Sequence, residues 1–68
     1  MKNPYQLSAQ QARAMTLLSE GKNRKEIALE MGIGVQTAYT HIDRGRQKMK
    51  AFSSKQAAER WALWTSSL

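Results

Sequence analysis

The chain contains no cysteine, so neither a disulfide framework nor a thiolate metal site can hold it together. It has one histidine, and its acidic residues, Glu20, Glu26, Glu30, Asp43 and Glu59, show neither paired nor metal-ligand spacing. An enzyme is therefore not expected, and neither is a metal or other cofactor. Glu26 and Glu30, four apart on one helix face, are expected to pair with Lys22 or Arg24. No apolar run approaches the roughly 20 residues that span a bilayer. The N-terminal stretch MKNPYQLSAQQARA lacks the continuous apolar segment of a secretory signal. A cytoplasmic protein without a membrane partner is the expectation. Strand signals are missing too: nothing alternates with period two, and β-branched residues are few. The 68 residues leave room for one small domain, and cores of this size supply only about 3–5 kcal/mol.

What is present is positive charge and helical spacing. Eleven Lys and Arg stand against five Asp and Glu, a net charge of +6, which favours a polyanionic partner. The single proline, Pro4, marks an irregular N-terminal arm over residues 1–7. Residues 8–68 then read as an all-α domain with helices at about 8–20, 24–31, 35–50 and 54–66. Ser8 is an N-cap, with Leu7 before it able to pack back on the first turn. Ala12, Ala14, Met15, Leu17 and Leu18 form a broad apolar face, and Gly21 stops the helix.

Residues 21–41, GKNRKEIALEMGIGVQTAYTH, carry the functional argument. Asn23 caps a short helix in which Ile27, Ala28 and Met31 recur at helical spacing. Gly32 supplies the left-handed residue that ends it. Ile33 plugs the turn, Gly34 opens the next helix, and Ala38, Ile42 and Met49 turn toward the core. A short helix, a glycine turn and a longer basic helix form the unit that enters the DNA major groove. Gln36, Tyr39, Thr40, Asp43 and Arg46 project outward. Gln pairs with adenine edges, and Thr methyl or Tyr ring atoms meet a thymine methyl. Arg44, Arg46, Lys48 and Lys50 supply sequence-independent attraction to phosphate. Arg24 and Lys25 begin the second helix, where cations oppose the helix dipole and a nearby phosphate would explain them.

The stretch from Leu7 to about Trp61 resembles the LuxR/GerE-type helix-turn-helix DNA-binding domain. The likeness is carried by LLSEGKNRKEIALEMGI at 17–33, by Thr37 and His41, and by the run from Lys48 to Ala58. It implies a four-helix domain with the third helix in the groove and the fourth commonly at a dimer contact. By position it makes Tyr39, Thr40 and Asp43 base-reading candidates and Thr37, Lys25 and Lys48 phosphate contacts. His41 matches the family histidine and is expected as a packed structural residue. The departures are Gln11 and Arg13 where acidic residues are usual, Gly34 for a serine cap, Asp43 for a basic or neutral residue, and Gly45 for a larger apolar one. Only seven residues precede the first helix, so no sensor domain is expected.

In the last helix Ala57, Trp61, Trp64 and Leu68 fall on one stripe, expected as a dimer or partner face, with one tryptophan closing the core as the competing reading. The reading that follows is a bacterial or phage transcriptional regulator that binds duplex DNA sequence-specifically as a homodimer. Two alternatives remain open. One is a protein-interaction module, an anti-regulator binding another transcription factor through the Trp61/Trp64 helix. The other is a promoter-binding module, since Arg44-Gly45-Arg46 is similar to a run in region 4 of alternative sigma factors.

Overall fold

The computed structural model describes residues 3–68, which form four helices and no strand: α1 (Ala9–Ser19), α2 (Arg24–Met31), α3 (Val35–Lys48) and α4 (Ser54–Ser66). Met1 and Lys2 of the expected arm lie outside the described residues.

Each helix start has a local cause. At α1 the Ser8 hydroxyl accepts from the Gln11 N–H at 3.1 Å, and the Gln11 side chain accepts from the Ser8 N–H at 3.0 Å. This reciprocal box satisfies two orphan donors and explains why Gln11 is buried on an otherwise apolar face. At α2 Asn23 and Glu26 make the same box, both bonds 2.9 Å. Glu26 thus caps its helix, correcting the expected pairing with Lys22 or Arg24, while Glu30 lies 3.9 Å from Lys22. Ser53 caps α4, accepting from the Gln56 N–H at 3.1 Å. Only α3 starts without a side-chain cap, at Gly34.

The helix ends are equally specific. Gly32 is left-handed at φ 67°, as expected, and the Ile33 N–H donates back to the Ala28 carbonyl at 3.0 Å. α3 ends at Lys48 rather than Lys50, because Lys50 itself takes φ 56°. That conformation is costly for a residue with a Cβ. It is held by Arg60, whose guanidinium donates to the Met49 and Lys50 carbonyls at 3.0 and 3.4 Å.

Two apolar clusters share α1. Ala14 and Leu17 pack with Ile27, Ala28, Ala38 and Ile42, fixing α2 and α3 around the glycine turn. Met15 packs with Leu7, Met49, Ala51, Ala57, Ala58 and Trp61, fixing α4 and the arm. Gly45 lies where α3 comes closest to α1: a Cβ there would stand 3.0 Å from Met15 Cε and 3.8 Å from Leu7 Cδ2. The methionine end fills the space that a larger residue at 45 would need. The arm is clasped by Asn3, whose side chain accepts from the Leu7 N–H at 2.8 Å and donates to the Leu7 carbonyl at 3.2 Å.

The α4 stripe is corrected here. Trp61 is only 3% exposed, and its indole N–H donates to the Thr16 hydroxyl at 2.8 Å. Ala57 is fully buried beside it, and Trp64 is half-buried with its ring 5.0 Å from that of Trp61. Of the four stripe residues, Leu68 alone is exposed. Helical spacing shows which residues share a face, and in a domain this small that face is needed for the core. α4 turns Leu63 outward, 72% exposed, and Leu68, 70% exposed, lies two residues beyond the end of the helix at Ser66.

Candidate nucleic-acid interface

α3 is divided cleanly by the helical repeat. Ala38, Ile42 and Gly45 are buried against α1 and α2. Successive residues turn by roughly 100°, so Gln36, Thr40, Asp43 and Gln47 form the row opposite that buried face. Tyr39 and Arg46 flank the row on one side, and Thr37, Arg44 and Lys48 on the other. Gln36, Thr37, Arg44, Gln47 and Lys48 are exposed, while Tyr39, Thr40, His41, Asp43 and Arg46 are half-buried.

The central row is pre-ordered by its own bonds. Asp43 accepts from Arg46 Nη2 through Oδ1 and from Gln47 Nε2 through Oδ2, both at 2.8 Å. Arg46 also donates from Nη1 to the Ala51 carbonyl at 3.1 Å, which anchors the network on the connection to α4. The only carboxylate on α3 is therefore neutralised by a neighbour one turn away, yet each of its oxygens keeps acceptor capacity. Thr40 donates its hydroxyl proton to the Gln36 carbonyl at 3.0 Å, so its oxygen is left as an acceptor.

Cations border the row. Arg44, Lys48 and Lys50 are exposed at the C-terminal end of α3 and just beyond it, and Arg24 and Lys25 at the start of α2. Lys48 Nζ donates to the Gln6 carbonyl at 3.2 Å, so the N-terminal arm holds that ammonium beside the helix. It keeps two further protons for an anion. The Arg24 guanidinium lies 4.3 Å from the Tyr39 ring centroid, joining the two helices across the turn. Gln47 is the residue the sequence reading missed. The spacing 36, 40, 43, 47 marks it as a member of the exposed row.

A second surface lies away from α3. Leu18, Lys22, Ala58, Glu59 and Ala62 line an open groove of about 510 Å³ between the end of α1 and α4. Its floor is apolar, Lys55 and Glu59 stand on its rim, and Leu63 continues it along α4.

A short α2, a glycine turn and an α3 with a polar, cation-bordered outward face define a helix-turn-helix domain. The chain belongs to the GerE group of bacterial regulatory proteins, the luxR family, whose sequence profile matches residues 5–61. This family consists of DNA-binding transcription regulators and is not enzymatic. The matched span takes in all of α1, α2 and α3 and more than half of α4. No match was found among curated proteins or among solved structures. No helix among the described residues is long and apolar enough to cross a membrane.

Proposed function

We propose that this protein is a cytoplasmic, sequence-specific transcription regulator that inserts α3 into the major groove of duplex DNA and acts as a homodimer. The observation that carries the reading is the division of α3: an apolar face in the core, and opposite it a polar row bordered by cations. The major groove, roughly 12 Å wide, admits a helix of this kind. Gln36, Tyr39, Thr40 and Asp43 are the base-reading set, and Gln47 extends it. Asp43, acceptor-only, suits a cytosine amino group. Arg24, Lys25, Thr37, Arg44, Lys48 and Lys50 are the phosphate set. Arg46, already engaged with Asp43 and the Ala51 carbonyl, braces the reading face in place of a phosphate contact.

The dimer reading moves from the buried stripe to the outer side of α4. Leu63, beside Ala62 and Ser66, continues the groove floored by Leu18, Ala58 and Ala62. Lys55 and Glu59, of opposite sign on the rim, suit a two-fold pairing in which the same patch meets itself. Two copies would read two half-sites about one axis.

The test is selection of bound duplexes from a randomised pool, followed by anisotropy titration at two salt concentrations. The reading expects a two-fold-symmetric site and an affinity that falls steeply with salt. Arg44→Ala and Lys48→Ala should each lower the logarithmic salt slope by about one and leave the selected sequence unchanged. Binding without any enriched sequence, with activity lost on Leu63→Glu instead, would favour the protein-interaction module, which the exposed Leu63 and Leu68 also fit.

A further inference from the structure

α2 and α3 also touch outside the apolar core. Arg24 is the first residue of α2, and its guanidinium lies over the Tyr39 ring at 4.3 Å. Helix α2 has no need of a cation there. Asn23 and Glu26 already cap its start through their reciprocal bonds, and positive charge at a helix N-terminus opposes the dipole. The tyrosine ring accounts for where the guanidinium lies, through cation–π attraction.

This contact has a consequence for Tyr39. On a helix a tyrosine chooses between two χ1 wells that send its hydroxyl in different directions. A guanidinium lying on one face of the ring favours the well beneath it. Arginine, unlike lysine, can stack its plane on a ring while the N–H groups at its edge remain available to an anion. Lysine offers charge at the same place without the flat contact.

We propose that Arg24 is a positioning residue for base recognition: it fixes the Tyr39 ring against the major-groove edges while its outer N–H groups engage a phosphate. Backbone engagement and base reading by Tyr39 are thereby coupled through one side chain. This rests on the reading of α3 as the groove-entering helix. It adds that a residue of α2, fifteen positions earlier in the chain, sets specificity at a base pair it does not touch.

The experiment compares the wild type with Arg24→Lys, Tyr39→Leu, Tyr39→Phe and the Arg24→Lys/Tyr39→Leu double variant. Each is titrated, at two salt concentrations, against the duplex selected by the wild type and against that duplex with each base pair changed in turn. Thermal melts followed by circular dichroism check that the variants stay folded. Arg24→Lys should keep the salt slope but lose about tenfold in discrimination, at the same base pair where Tyr39→Leu loses it. The double variant should be no less selective than Tyr39→Leu alone. Tyr39→Phe keeps the ring and should keep Arg24 in place, so loss is confined to any bond made by the hydroxyl. Wild-type discrimination in Arg24→Lys, or losses that multiply in the double variant, would overturn the proposal and make Arg24 an independent phosphate contact. A wild type that selects no sequence would overturn the groove reading itself, and that outcome appears before any substitution is made.

Discussion

α3 and α4 are nearly equal in length, 14 and 13 residues, but they use their second faces in opposite ways. α3 buries Ala38, Ile42 and Gly45 and gives the opposite face to amides, hydroxyls and cations. α4 buries Ala57, Ala58 and Trp61 and still turns Leu63 outward, with the exposed Leu68 just beyond its end. A polar, cation-bordered face suits a hydrated polyanion, whose affinity comes largely from counterion release. Exposed apolar side chains suit another protein surface, where area removed from water is the main gain. On the proposed function the two helices divide recognition, α3 for nucleic acid and the outer side of α4 for a second copy of the chain.

The largest effect that could break this comparison is at Trp61. Trp61→Ala should destabilise the fold by about 3–5 kcal/mol, enough to unfold a domain of this size. Leu63→Ala, on the outward row of the same helix, should change monomer stability by no more than about 0.5 kcal/mol. Urea denaturation of the two variants measures both, and equal losses would erase the distinction between the inner and outer faces of α4. Next is Gly45→Leu, which must displace Met15 and Leu7 and should cost about 1–3 kcal/mol by the same measurement. Lys50→Gly removes a Cβ from a left-handed residue and should raise stability by about 0.5–1 kcal/mol. It should also weaken DNA binding slightly through the lost charge, so stability and affinity move in opposite directions. The smallest effect is at Gly34: Gly34→Ser supplies the missing cap of α3, with open space for its side chain, and should add a few tenths of a kcal/mol in thermal melts.

How far these faces are legible in the sequence depends on what surrounds each residue. The caps at Ser8 and Asn23 and the left-handed Gly32 are local, so residue type and spacing are enough. α3's two faces are legible because one is apolar and the other charged, a contrast that periodicity resolves. α4 carries apolar residues beyond one stripe, at Ala58, Ala62 and Leu63, so the stripe of Ala57, Trp61 and Trp64 is real but its covering surface is not encoded in its spacing. Lys50 was read as helical because nothing in a lysine announces a positive φ; the conformation depends on Arg60, ten residues away. The same limit applies to the candidate site. Gln36, Tyr39, Thr40 and Asp43 emerge by subtraction of the core positions. The engagement of Arg46 with the Ala51 carbonyl and the placement of Arg24 over Tyr39 depend on how the chain turns after α3 and between α2 and α3.

The most direct test of the division between the two faces is amide chemical-shift mapping of the labelled protein titrated with the duplex it selects. The account predicts large shifts at Gln36, Thr37, Thr40, Asp43 and Arg44 and at the start of α2, with Trp61 unmoved and any change in α4 confined to its outer side around Leu63. Shifts concentrated on α4, with the outward row of α3 silent, would contradict it.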